Sequence, residues 1–200
     1  MTINPRGHRL RRRIGLLGGS FNPAHDGHRH VAELALRRLR LGQVWLLVSP
    51  GNPLKPGAGM APFAARLASA AAIADGRRIV ATGIEAALGT RYTIDTLRAL
   101  RRRFPRARFV WLMGADILGQ LPRWRRWREI VALVPFAVLP RPTYNQRARA
   151  GHAAHALAAF RLPARRAPAL ADRAPPAWTF LPAPQHAASA TAIRAALTGD

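Results

Sequence analysis

Short continuous apolar runs alternate along this chain with stretches in which apolar residues recur every three or four positions. The first run, Ile14-Gly15-Leu16-Leu17, stops at Gly18-Gly19, and a helical pattern begins near Asp26 with Val31, Leu34, Ala35 and Leu39 on one face. Val44 to Val48 is a second run, apolar at every position as in strands buried on both faces, and it ends at Ser49-Pro50. Gly51 to Gly59 reads as a loop. Pro62 suits the first turn of a helix reaching about Ala74, Ile79 to Ala81 reads as a strand, and Thr93 is placed to cap a helix through Arg103. Phe109 to Met113 is a third strong strand. After it come a helix around Trp124 to Val131, a strand over Phe136 to Leu139 and a helix within Ala148 to Phe160. A short strand at Thr179 to Leu181 and a closing helix from about Ser189 complete the series. Strands alternating with helices predict an α/β fold, a doubly wound parallel sheet with helices on both faces. Such a sheet binds ligands beyond the carboxyl ends of its strands.

The 200 residues, 49% of them apolar, suffice for one buried core, so residues 1–200 are expected to form a single domain with residues 1–12 as a flexible basic extension. The Pro/Ala/Arg-rich stretch from Leu162 to Pro176 reads as a long surface excursion. With no Cys, disulfides and Cys-based zinc sites are excluded, and any metal must be held by oxygen or imidazole, which favours a hard cation such as Mg2+. The polar, basic segment from Met1 to Arg13 lacks a secretory apolar region, and no apolar run is long enough to span a bilayer; no membrane association and a cytoplasmic location are expected. A formal charge of +23 ordinarily points to a polyanionic partner, but Lys55 is the only Lys among 32 basic residues. That imbalance, beside abundant Ala and Pro, reads as a coding bias toward Arg, and no nucleic-acid partner is expected.

Candidate chemistry concentrates where the first strand hands over to its helix, in Gly18-Gly19-Ser20-Phe21-Asn22-Pro23-Ala24-His25-Asp26-Gly27-His28. Backbone amides and the helix dipole favour a phosphate there, and His25 and His28 can donate hydrogen bonds to its oxygens. Two plainer readings are surface histidines, or half of a metal site with His30. Near the C-terminus, Ser189 is a natural helix cap, Thr191 offers a hydroxyl beside the first-turn amides, and Arg194 one turn on can fork onto phosphate. Taken alone, those residues describe an ordinary capped surface helix.

The segment GGSFNPAHDGH resembles the nucleotide-binding signature of the nucleotidyltransferase superfamily, and Ser189-Ala190-Thr191-Ala192-Ile193-Arg194 resembles its S-x-[ST]-x-[IV]-R element. Three further segments resemble nicotinate-nucleotide adenylyltransferases. Ser49-Pro50-Gly51-Asn52-Pro53-Leu54-Lys55-Pro56 is similar to that family's loop after the second strand. Arg91-Tyr92-Thr93-Ile94-Asp95-Thr96-Leu97 is similar to its S-Y-T-x-[DE]-T-L. Gly114-Ala115-Asp116 with Leu121-Pro122-Arg123-Trp124 is similar to its G-x-D…[FL]-x-x-W. The resemblance covers nearly the whole chain and implies a Rossmann-like sheet. It implies His25, His28, Lys55 and Arg194 as catalytic groups, and Gly18, Gly19, Ser20, Phe21, Asn22, Ser189 and Thr191 around ATP and its phosphates. For nicotinate mononucleotide it implies Asn52, Tyr92, Thr93, Asp116 and Trp124, with amides near Thr93 receiving the pyridine carboxylate, Trp124 stacking on the ring and Asp116 reaching nucleotide hydroxyls. Without its neighbours, Trp124 reads equally as a core or interface aromatic. The chain departs from the pattern at Asn22, where many members carry Asp and which reads here as a locally bonded turn residue, and at Ala188. Arg101 to Arg103, Arg125 and Arg126 have no place in the pattern and read as solvated faces.

The implied reaction is transfer of AMP from ATP to nicotinate mononucleotide, with pyrophosphate released, by direct in-line attack without a covalent intermediate. Magnesium would be carried by ATP, with no ligand from the protein. Rival readings are another transferase on the same scaffold, such as a pantetheine-phosphate adenylyltransferase or a cytidylyltransferase, and a basic, catalytically silent nucleic-acid-binding protein. The pattern leaves open the preference for the acid over the amide substrate. It also leaves open whether apolar residues of the C-terminal half serve the core or a homo-oligomer interface.

Overall fold

The computed structural model describes residues 12–51, 59–141 and 144–184. Seven strands form one sheet in the order β3-β2-β1-β4-β5-β7-β6, each pair parallel: β1 Arg13–Gly19, β2 Gln43–Val48, β3 Ile79–Thr82, β4 Arg108–Gly114, β5 Phe136–Leu139, β6 Arg161–Leu162 and β7 Trp178–Phe180. The helices are α1 Asp26–Arg38, α2 Phe63–Ala72, α3 Ile84–Ala87, α4 Thr93–Arg103, α5 Ala115–Gln120, α6 Trp127–Leu133, α7 Asn145–Arg149 and α8 His152–Ala156, with 3-10 segments at Leu121–Arg123, Ala158–Phe160 and Ala164–Asp172.

Period-two alternation divides the central strands between two cores. Ile14, Leu16, Trp45, Leu47, Phe109, Trp111, Met113, Phe136 and Val138 face one side and pack with α4, α5, α6 and α8. Leu17, Val44, Leu46, Val48, Val110, Leu112, Ala137 and Leu139 face the other and pack with α1, α2 and the Ala164–Asp172 segment. This is why the runs in β2 and β5 are apolar throughout: every residue of both strands is buried. Gly15 sits where a Cβ would lie 2.8 Å from Leu41 and Leu112 side-chain atoms, so its bare backbone admits those two leucines against β1. Strands are added to one side of β1 up to β3 and to its other side from β4 on, so the cleft outside the carboxyl ends of β1 and β4 is the topological switch point.

Several expectations need correction. Thr93 is the first helical residue of α4, and its cap is Tyr92, without a side-chain capping bond. The helix expected around Trp124 starts at Trp127, because Trp124 closes a 3-10 turn on the Leu121 carbonyl and Arg126 is left-handed at φ +57°. The single helix expected within 148–160 is two short helices broken at Gly151, followed by a 3-10 turn. The stretch 162–176 is no surface excursion. Leu162 belongs to β6, Ala167, Leu170 and Ala171 are buried, and Asp172 binds Arg13 and Arg108 at the amino ends of β1 and β4. Among the described residues no helix is long and apolar enough to cross a membrane.

Candidate active site

The chain leaves β1 at Gly19 and makes a tight turn before α1. Phe21 takes a left-handed conformation, φ +48°, which costs a side-chain-bearing residue about 1 kcal/mol or more and persists only where surroundings hold it. Its ring is buried and lies against Gly19, where a Cβ would come within 3.2 Å of it. His25 caps α1. Its Nδ1 accepts the Gly27 N–H at 3.1 Å, while the His25 N–H donates to Nδ1 of His28 at 3.2 Å. The two imidazoles thus fill both places of a reciprocal capping box. Because each Nδ1 accepts, the donor that each ring can offer is its Nε2–H. The rings are 3.9 Å apart, centroid to centroid, and Phe21 covers His28 at 4.9 Å.

Burial, reinforced by His25 and by the Arg141 guanidinium, lowers His28 from an ordinary pKa of 6.5 to about 3. At neutral pH it is an uncharged ring with a donor on Nε2, suited to phosphate oxygens. Among the described residues no group of three or more His, Cys, Asp or Glu gathers as a metal ligand set.

Across the switch point, β4 ends at Gly114 and Asp116 lies in the first turn of α5. Its Oδ1 is buried and without a hydrogen-bond partner; Arg141 Nε stands 3.6 Å away, beyond hydrogen-bond range. Trp124 Nε1 is likewise buried and unpartnered, and its ring tilts against Trp111 at 5.5 Å. Buried polar atoms seldom stay unpaired, so the open acceptor of Asp116 and the open donor of Trp124 are candidates for contact with a ligand. Gly114 makes room for the carboxylate, since a Cβ there would overlap Asp116 Oδ1.

The third part is the start of α4. Asp95 and Thr96 are the first amides to return to the Tyr92 carbonyl, so those of Thr93 and Ile94 precede the intrahelical ladder. Thr96 Oγ1 bonds Glu85 Oε1 at 3.0 Å and Thr90 Oγ1 at 2.9 Å, bracing this helix end, and burial raises the Glu85 pKa. Arg125 lies over the Tyr92 ring at 4.8 Å. Tyr92 and Trp124 pack against the same core cluster, which brings two expected substrate-binding segments to one side of the sheet.

The structure therefore assembles Gly18, Gly19, Ser20, Phe21, Asn22, His25 and His28 past β1, Asp116 and Trp124 past β4, and Tyr92 and Thr93 at α4. Asn52, Lys55, Ser189, Thr191, Arg194, Ala188 and the closing helix lie outside the described residues, as do residues 1–11. Asn22, expected to bond within its own turn, reaches beyond it: its amide donates to the Gly59 carbonyl at 2.8 Å and accepts the Ala61 N–H at 3.1 Å, tying the turn to the far end of the loop after β2. Three residues escaped the sequence reading. Ser69 accepts the Ala24 N–H at 2.8 Å, Arg66 bonds carbonyls past β1 and past β2, and Arg141 brings a guanidinium to 3.6 Å from Asp116 and near enough to lower the His28 pKa. None carried a signal, for each is a common residue type whose partners are distant in sequence.

Comparison with known proteins gives a consistent answer. The cytidylyltransferase-like family model matches residues 16–196. A protein of Gluconacetobacter diazotrophicus named "Probable nicotinate-nucleotide adenylyltransferase" is 70% identical over 92% of this chain and 86% of its own. A protein of Gluconobacter oxydans with the same name is 64% identical over 91% of this chain and 93% of its own. Among solved structures, the Plasmodium falciparum nicotinic acid mononucleotide adenylyltransferase complexed with NaAD superposes with a TM-score of 0.68 over 92% of this chain and 82% of that one, at 15% identity, a likeness of fold.

Proposed function

The chain belongs to the cytidylyltransferase-like family and, within it, to the nicotinate-nucleotide adenylyltransferases, and from that premise we propose that it transfers AMP from ATP to nicotinate mononucleotide, releasing pyrophosphate. The observation that carries this reading is the pairing of two sites across one switch point. Past β1, two imidazoles have their Nδ1 atoms fixed by main-chain amides, and past β4 stand a carboxylate oxygen and an indole N–H without hydrogen-bond partners.

The mononucleotide phosphate is already ionised at neutral pH, so the reaction needs alignment more than activation. One of its oxygens attacks the α-phosphorus in line. The bond to the β-bridging oxygen breaks, and its electron pair leaves on pyrophosphate. His25 and the neutral His28 ring donate from Nε2 to oxygens on which charge grows, and Lys55 and Arg194 add cationic contacts. The first-turn amides of α4 suit the pyridine carboxylate, because a helix N-terminus favours negative charge. Trp124 offers its face to the pyridine ring and Asp116 its free oxygen to a nucleotide hydroxyl. The donor set past β1 fits phosphate oxygens, and magnesium carried by the triphosphate would supply charge neutralisation to the leaving group. A cytoplasmic location and independence of nucleic acid belong to the same reading.

A cytidylyltransferase or pantetheine-phosphate adenylyltransferase would share the β1 turn, but the α4 and Trp124 segments favour a pyridine nucleotide. Product analysis with ATP labelled chirally at the α-phosphorus tests both parts: nicotinate adenine dinucleotide with inverted phosphorus is the expected outcome. Retention would replace direct attack by a covalent intermediate, and no dinucleotide would remove the substrate assignment.

A further inference from the structure

The histidine turn is fastened to α2, and the fastening ends in a charge without a counter-ion. Ser69 holds the Ala24 amide, and one turn earlier the Arg66 Nη1 donates to the Ser20 carbonyl at 2.8 Å. The same guanidinium donates to the Ser49 carbonyl at 2.7 Å, the Pro50 carbonyl at 3.2 Å and, through Nε, the Ala61 carbonyl at 3.0 Å. One side chain therefore joins the main chain past β1 to both ends of the loop past β2. In a trans peptide the C=O and N–H point oppositely, so holding the Ser20 carbonyl from behind turns the Phe21 N–H away from Arg66.

All four acceptors are neutral. Arg66 is 3% exposed, the Phe63 ring lies 5.6 Å from its central carbon, and among the described residues no carboxylate pairs with it: Glu33, Glu129 and Asp172 are hydrogen-bonded by other arginines, and Asp116 stands nearest Arg141. Burial lowers its pKa, with no negative group opposing the fall, yet a guanidinium keeps its proton. A desolvated cation bonded only to carbonyls leaves positive charge in the wall of the site, and such charges are held in proteins where an anion answers them.

We infer that Arg66 is a positioning residue of the phosphate site: it ties the histidine turn to both ends of the loop after β2, and its buried charge takes the polyphosphate of the nucleotide as counter-ion. This rests on the adenylyl-transfer reading for the identity of the anion, and on the four carbonyl bonds for the rest.

The test uses full-length native protein, Arg66→Lys and Arg66→Met, each checked for cooperative thermal unfolding. It measures inorganic pyrophosphate binding by calorimetry and kcat and KM for both substrates. Arg66→Met should bind pyrophosphate about 30-fold more weakly and raise KM for ATP more than KM for the mononucleotide, because a whole charge is lost. Arg66→Lys should recover pyrophosphate affinity to within about fivefold yet keep kcat down about tenfold, since an ammonium cannot span four carbonyls. Pyrophosphate affinity within about twofold of native in both folded variants would overturn the inference, leaving Arg66 a structural strut. If Arg66→Met does not fold, Arg66→Lys decides: pyrophosphate affinity lowered about two- to fivefold together with a kcat loss supports the inference, and affinity within about twofold of native overturns it. If the native protein makes no dinucleotide but pyrophosphate binding still falls in Arg66→Met, the role of Arg66 stands and the substrate assignment falls.

Discussion

The His25 N–H donates to Nδ1 of His28 at 3.2 Å, so the main chain of one histidine sets the tautomer and aim of the other. The Nε2 donor of His28 is therefore pre-set before any substrate arrives. His28→Ala should lower kcat about 100- to 1,000-fold, the cost of removing one pre-organised donor, with KM for the mononucleotide changed far less. Steady-state kinetics with both substrates checks this, and an unchanged turnover number would take His28 out of the chemistry.

The depressed pKa of His28 makes a separate statement about stability. The unfolded chain takes up this proton near pH 6.5 and the folded protein only near 3, so acidification through that window favours unfolding. The share from this one group is at most about 1.4 kcal/mol per pH unit. Urea unfolding at about pH 7.5 and about pH 5 should show a smaller loss in His28→Gln than in the native protein. An equal loss would mean that His28 is protonated in the fold.

Trp124 presents a ring braced by Trp111 and an indole N–H with nothing to bond. Trp124→Ala should raise KM for nicotinate mononucleotide about 10- to 100-fold, in line with the worth of stacking a base on an aromatic ring, and leave KM for ATP nearly constant. Equal effects on both substrates would argue against stacking.

Gly114 is specified by its neighbour. A methyl group there would overlap Asp116 Oδ1 and press on Arg141, yet the φ of −74° suits any residue. Gly114→Ala should therefore fold, with Tm lowered by only about 2–8 °C, while substrate affinity drops about tenfold as the carboxylate is displaced. Native affinity in this variant would show that the carboxylate position is unimportant.

At the opposite end of the strands, Asp172 ties Arg13 of β1 and Arg108 of β4 to the 3-10 segment. The Arg13, Asp172 and Arg108 side chains are 37%, 32% and 60% exposed, so water and salt screen the cluster. Asp172→Ala should cost only about 0.5–1 kcal/mol in chemical denaturation, less in high salt, and leave kcat unchanged.

The sequence reading succeeded where a residue's role follows from its near neighbours. β2 and β5 announced themselves because both faces are covered, and the GGSFNPAHDGH turn because its spacing alone places two imidazoles at a helix start. It failed where the partner is far along the chain. Arg66 looked like any helical Arg until four carbonyls from 5 to 46 residues away surrounded it, and Asn22 found Gly59 and Ala61 beyond the loop. Leu162 to Pro176, poor in large apolar residues, gave no sign that Ala167 and Leu170 would be fully buried against the sheet.

The most direct test is pyrophosphate release from ATP and magnesium by the purified protein, comparing nicotinate mononucleotide, nicotinamide mononucleotide and phosphopantetheine as acceptors. Release should be fast with the nicotinate acceptor, slower with the amide and absent with phosphopantetheine. Release with phosphopantetheine alone would contradict the roles given to Thr93 and Trp124, and silence with every acceptor would contradict the adenylyl-transfer account itself.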